Sequence, residues 1–120
     1  MRILIADDED NVRAALRLVL EQDPNVTSVA EVPAVGCIPD QVRRAQPRVL
    51  LLDGELPGLM MDTLLPSLRN FDPHLSVVVL SGRPEQRDPA LAAGADAFVC
   101  KGDAPDELLT VLRNLGCDVS

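Results

Sequence analysis

The sequence predicts a doubly wound α/β fold, a five-stranded parallel sheet with helices on both faces. Three observations predict it. Apolar runs at 3–6, 26–32, 49–52, 77–80 and 96–100 are short and partly β-branched, as strands buried on both faces are. Between them, apolar residues recur at helical spacing. Several of the runs stop on chemistry-bearing residues, and an open parallel sheet gathers its functional groups outside the carboxyl ends of its strands.

The elements follow in order. The first strand, Ile3-Leu4-Ile5-Ala6, runs into Asp7-Asp8, and Val12, Ala15, Leu16, Val19 and Leu20 then mark a helix. After the second strand, Pro33 and Pro39 restrict the next helix, which is expected to start near Asp40. The third strand, Val49-Leu50-Leu51-Leu52, ends on Asp53, and Pro66 is expected to kink or delay the third helix. The fourth strand, Val77-Val78-Val79-Leu80, ends on Ser81-Gly82. Pro84 and Pro89 leave little uninterrupted chain before Gly94, so the fourth helix is expected to be short or displaced. The fifth strand, Ala97-Phe98-Val99-Cys100, ends on Lys101-Gly102. Leu108, Leu109, Val111, Leu112 and Leu115 define the fifth helix, with Asp103 expected to cap it, Pro105 in its first turn, Asp106 and Glu107 at its positive end and Gly116 after its last turn. Right-handed crossovers then place helices on both faces.

Composition bounds the function. A chain of 120 residues suits one compact domain over 1–120, and a 47% hydrophobic content excludes disorder. No apolar run approaches the length of a membrane span, so a soluble protein is expected. Met1-Arg2 leads straight into a strand without the features of a secretory signal, which points to the cytoplasm. Cys37, Cys100 and Cys117 lie far apart, as reduced structural thiols do rather than zinc ligands or a disulfide framework. With a net charge of −8 and no basic stretch interleaved with aromatics, the chain lacks the footprint for direct nucleic-acid binding. His74 lies at the distal end of a strand and is assigned no chemistry.

Asp7, Asp8 and Asp53 converge in such a sheet, where each close pair of like charges costs about 4 kcal/mol at surface-like dielectric. A hard divalent cation offsets that repulsion, and magnesium typically combines carboxylates, waters and a substrate phosphate. Lys101 adds a charge able to bind a phosphoryl oxygen, and Ser81 adds a hydroxyl beside Gly82, whose backbone can approach a ligand closely. Phosphoryl transfer to a carboxylate needs mainly positioning and charge stabilisation, and Asp53 is the best placed acceptor because it ends the strand expected at the sheet centre. Each residue alone has a plainer reading. Asp7-Asp8 suits a helix cap, Asp53-Gly54 a turn, Ser81 a cap, Lys101 a solvated strand end and Phe98 ordinary core.

Four ordered motifs together resemble the receiver domain of two-component response regulators, over essentially the whole chain. They are Ile5-Ala6-Asp7-Asp8-Glu9, Leu52-Asp53-Gly54-Glu55-Leu56-Pro57-Gly58, Val79-Leu80-Ser81-Gly82, and Gly94-Ala95-Asp96-Ala97-Phe98-Val99-Cys100-Lys101. The stretch from Lys101 to Leu108 is most similar to receivers of the LuxR/NarL-type subfamily. The resemblance implies a flavodoxin-like sheet of strand order 2-1-3-4-5. It implies that Asp53 is phosphorylated by a sensor histidine kinase or phosphotransfer protein, and that Mg2+ is held by Asp7, Asp8, Asp53 and the backbone carbonyl of Glu55. Ser81, Lys101, Gly54 and Gly82 would hold the phosphoryl group, Ser81 and Phe98 would switch, and Glu55 and Arg83 would tune dephosphorylation. A homodimer through the fourth helix, fifth strand and fifth helix is also within that resemblance.

The chain departs from the family pattern in three places. Gly102 stands where proline is usual, so a trans peptide or a differently shaped loop is expected. The interval from Ser81 to Gly94 is about two residues short, and the loop around Met60-Met61-Asp62 is about one residue long, relative to the resemblance just drawn. Two other functions compete: a degenerate receiver acting as an unphosphorylated binding module, and a magnesium-dependent phosphohydrolase with an aspartyl-phosphate intermediate. Motif order and chain length disfavour the hydrolase, whose paired acids belong on the first strand. The full set of chemical groups disfavours the degenerate module. Self-phosphorylation and slow self-dephosphorylation are the only catalysis expected.

Overall fold

The computed structural model describes residues 1–103 and 105–117. Its elements run β1 (Arg2–Ala6), α1 (Asp10–Glu21), β2 (Ser28–Val32), α2 (Ile38–Ala45), β3 (Val49–Asp53), α3 (Met61–Phe71), β4 (Ser76–Ser81), α4 (Arg87–Ala92), β5 (Ala97–Cys100) and α5 (Asp106–Cys117). Short 3-10 turns at Val35–Cys37 and Pro84–Gln86 lead into α2 and α4. The strands form one parallel sheet in the order β2-β1-β3-β4-β5. This is the expected doubly wound topology, with its switch point between β1 and β3.

Side chains alternate between the faces of a strand, and here both faces are apolar. Ile3, Ile5, Val49, Leu51, Val78, Leu80 and Val99 pack on one side with Leu16 and Leu20 of α1 and Leu108 and Leu112 of α5. Leu4, Ala6, Leu50, Leu52, Val77, Val79 and Phe98 pack on the other with Ile38, Val42, Leu65, Leu68 and Ala90 of α2, α3 and α4. The central strand β3 is buried at every position. Such a strand has no polar face, which is why its sequence is a continuous apolar run. The edge strand β2 is only partly buried, and its Glu31 accepts from Arg13 Nε at 3.1 Å and Arg17 Nε at 2.6 Å. That charge on an edge also discourages further strand pairing.

Several boundaries differ from expectation. Strand β2 starts at Ser28, after Val26 donates its amide to Asp23 O in a turn. Helix α2 begins at Ile38, because Pro39 fits the first turn, where a missing N–H is harmless. It ends on Gln46 in the left-handed region at φ 47°. Pro66 neither delays α3 nor ends it, since the helix starts at Met61 and continues to Phe71. The shortened interval after β4 yields the 3-10 turn and a six-residue α4, closed by Gly94 at φ 114°. Two expectations for the last helix are corrected. Asp103 lies in a turn with its amide on Cys100 O, so Pro105 precedes the helix start at Asp106 and accepts from Leu109 N at 3.0 Å. Gly116 is helical, since α5 runs on to Cys117.

Candidate functional site

The parallel register brings the ends of four strands together. Ala6 pairs with Leu52, Asp53 with Leu80 and Ser81 with Cys100, so the residues that follow these pairs share one edge. Alternation then sorts them by face. Continuing Ile3 and Ile5 leads to Asp7, continuing Val49 and Leu51 leads to Asp53, and continuing Val99 leads to Lys101, all toward the α1 and α5 side. Ser81 continues Val77 and Val79 toward the α3 and α4 side, the side that also takes Phe98.

The acidic cluster has the expected members. Asp7 and Asp53 are 2% and 3% exposed, while Asp8 is exposed, and one carboxylate oxygen from each of the three lies within 4.8 Å of the others. Local hydrogen bonds fix the two buried acids: Glu9 N donates to Asp7 Oδ1 at 2.9 Å and Glu55 N donates to Asp53 Oδ1 at 2.9 Å. Lys101 Nζ lies 3.2 Å from Asp53 Oδ1 and 3.5 Å from Asp7 Oδ2. Among the described residues, Asp53 Oδ2 has no hydrogen-bond partner. Arg13, which the sequence did not single out, anchors the loop by donating to the Asp7 carbonyl at 2.5 Å while reaching Glu31 on β2.

The charges leave their mark on protonation. Burial, helped by the Asp7 charge, pushes the Asp53 carboxyl above its ordinary value against the opposing Glu55 amide and Lys101 ammonium. For Lys101, burial disfavours the charge, but Asp53 and Asp7 outweigh it and raise the ammonium's pKa above the usual lysine value. Three carboxylates therefore face one ammonium. Among the described residues, those three aspartates form a group able to hold a cation, and the excess negative charge with hard oxygen donors suits a divalent one.

Beside this cluster, Ser81 is fully buried and tied down. Its hydroxyl lies 2.9 Å from Glu55 Oε1 and 2.8 Å from the Gln86 amide, and Arg83 N donates to it at 3.0 Å. Glu55 also accepts from Gly82 N at 3.2 Å, and the Ser81 hydroxyl, foremost, holds its carboxyl below the ordinary value. Gly54 N donates to Leu80 O at 2.8 Å, extending the ladder. Gln86 was not foreseen. Its distance of five residues from Ser81 carries no motif, and only the 3-10 turn brings it back over the strand end.

The remaining candidates lie further out. Phe98 is packed at 3% exposure opposite Val79, and the Arg83 side chain is exposed. His74 is exposed at the opposite sheet edge, where Arg69, Asp96 and the Val77 amide form a separate structural cluster. Cys37 and Cys100 are free thiols, and Cys117's side chain lies outside the described residues. No helix among the described residues is long and apolar enough to cross a membrane.

Comparison with known proteins agrees with the geometry. The sequence profile of the response regulator receiver domain matches residues 3–113. The chain is 34% identical over 111 residues to a protein-glutamate methylesterase/protein-glutamine glutaminase of Cereibacter sphaeroides, covering 89% of this chain and 30% of that protein. It is 27% identical over 120 residues to the response regulator UvrY of Escherichia coli, covering 96% of this chain and 54% of UvrY. It therefore spans only about a third to a half of these relatives. The RcsB response regulator of Salmonella typhimurium superposes with a TM-score of 0.86 at 28% identity, over 98% of this chain and 60% of that one. The chain belongs to the response regulator receiver domain family.

Proposed function

We propose that this chain is the phosphoacceptor of a two-component signalling system. Asp53 accepts a phosphoryl group from a sensor histidine kinase or a phosphotransfer protein, with Mg2+ as cofactor, and the modified domain changes its partner binding or output. All 120 residues act as one response regulatory domain in the cytoplasm. The observation that carries this reading is the cluster itself: three strand-end carboxylates within 4.8 Å of one another and the Lys101 ammonium 3.2 Å from Asp53.

The roles follow from atoms. Glu55 N and Lys101 Nζ both engage Asp53 Oδ1, which leaves Oδ2 to attack phosphorus. The new O–P bond forms as the donor's P–N bond breaks, and Lys101 balances the charge on the phosphoryl oxygens. Asp7, Asp8, Asp53 and the Glu55 carbonyl would hold magnesium, whose chemistry is to neutralise those oxygens. Ser81, Gly54 and Gly82 complete the phosphoryl contacts. Glu55 and Arg83 flank the approach of the hydrolytic water and set the rate of self-dephosphorylation. Ser81 and Phe98 lie on the same side of the sheet, so movement of Ser81 is read out at the α4, β5 and α5 surface, where a second copy docks. Nothing in the reading needs direct nucleic-acid contact by this domain, and its net charge of −8 opposes it.

The test is a mass measurement. Incubation with acetyl phosphate and magnesium should add one phosphoryl group to the parent and none to Asp53→Asn. An equal adduct on the variant, or none on the parent, contradicts the reading.

A further inference from the structure

Gln86 has no role in the phosphoryl chemistry described above, yet its half-buried side chain contacts the fully buried Ser81 hydroxyl next to Asp53. It is carried by the 3-10 turn Pro84–Gln86, and its Oε1 is placed 2.8 Å from Ser81 Oγ. Gly54 makes the room: a Cβ there would lie 2.9 Å from that Gln86 oxygen, 3.1 Å from Val79 Cγ1 and 3.4 Å from Ser81 Cβ. The Gln86 amide thus reaches into the space that a side chain on the residue after Asp53 would occupy.

The hydrogen-bond count around Ser81 is decisive. A hydroxyl has one proton and two lone pairs. Arg83 N already donates to Ser81 Oγ at 3.0 Å, and Glu55 Oε1 lies at 2.9 Å as a charged acceptor. One proton cannot serve both Glu55 and a second oxygen on Gln86. Turning the amide end for end, which leaves its shape unchanged, lets Nε2 donate to the remaining lone pair of Ser81 Oγ. Ser81 is then saturated, with its proton directed to Glu55.

We infer that Gln86 is a positioning residue that latches the Ser81 hydroxyl onto Glu55, and that a phosphoryl group on Asp53 engages Ser81 only by breaking this latch and releasing the turn Pro84–Gln86. The inference rests on the phosphoacceptor reading. It adds that the Gln86 side-chain amide holds the short segment after β4 together with the Arg83 N and Gly82 N contacts, so the strength of the Gln86 contact bears on how readily the site takes a phosphoryl group. Freeing Ser81 from it tightens the phosphoryl-bound state by about fivefold, the effect of one net hydrogen bond.

Beryllofluoride, a mimic of the phosphoryl group, tests this by calorimetric titration of the full chain with magnesium. Gln86→Met keeps the length and removes the hydrogen bonds, and should bind about fivefold more tightly than the parent. In a Ser81→Ala background the same substitution should change nothing. An unchanged affinity of Gln86→Met, or an equal gain with and without Ser81, overturns the latch. Nuclear magnetic resonance of the unmutated protein gives a second readout, in which the Gln86 side-chain amide signals should shift on saturation with beryllofluoride and fixed signals would overturn the latch. A parent that binds no beryllofluoride overturns instead the phosphoacceptor reading beneath it.

Discussion

Asp53 and Asp7 are buried carboxylates side by side, an arrangement that folding alone disfavours. The only ammonium within reach among the described residues is Lys101, at 3.2 and 3.5 Å. Because the folded state raises the Asp53 pKa, it binds that proton more tightly than the unfolded chain does. Stability from this group is thus present below the unfolded value of 3.8 and is lost as pH rises through the raised folded value. In magnesium-free buffer, Asp53→Asn should therefore be more stable than the parent near neutral pH. Urea unfolding should show the gap opening as pH rises from the unfolded value of 3.8 through the raised folded value. Asp53, its acidic neighbours and the lysine were legible because each ends an apolar run, and strand register does the rest. Gln86 and Arg13 were not, since their importance arises from contacts across turns and between elements that leave no spacing rule behind.

The same division holds for the elements. Strands read clearly because burial on both faces demands unbroken apolar runs, and all five appear where those runs lie. Helix limits read less clearly where proline intervenes. Pro39 points to a helix start near Asp40, yet it fits the first turn of α2, whereas Pro66 lies within α3 and is exposed. An internal proline removes a backbone bond and crowds the preceding turn, yet Leu65 and Leu68 beside it are buried, and their packing holds the helix through it. Pro66→Ala should accordingly stabilise the protein by about 1–3 kcal/mol, read as a higher urea midpoint with unchanged slope. Gly116 gave a false stop because a glycine near a helix end is also tolerated inside it.

At the scale of the whole molecule, two apolar layers clamp one sheet and leave its carboxyl edge as the place where charge accumulates. A cation that binds only the folded arrangement must therefore stabilise it. Magnesium at about ten times its dissociation constant should add about 1.4 kcal/mol, a rise of several degrees in melting temperature. Asp8→Ala, which removes an exposed carboxylate of the cluster and leaves the core intact, should abolish that rise. The fold was legible to the level of strand order through resemblance and the shortness of α4 from Pro84 and Pro89, while the Gln86 contact to Ser81 arises only from the folded turn Pro84–Gln86. On the proposed function, the phosphoryl group should land on Asp53 and on no other acid of the cluster. Borohydride reduction of the phosphorylated protein, followed by peptide mass mapping, reads this directly, because an acyl phosphate is reduced to an alcohol. Homoserine at position 53 alone is the predicted result, and homoserine at Asp7 or Asp8, or at no aspartate, would contradict it.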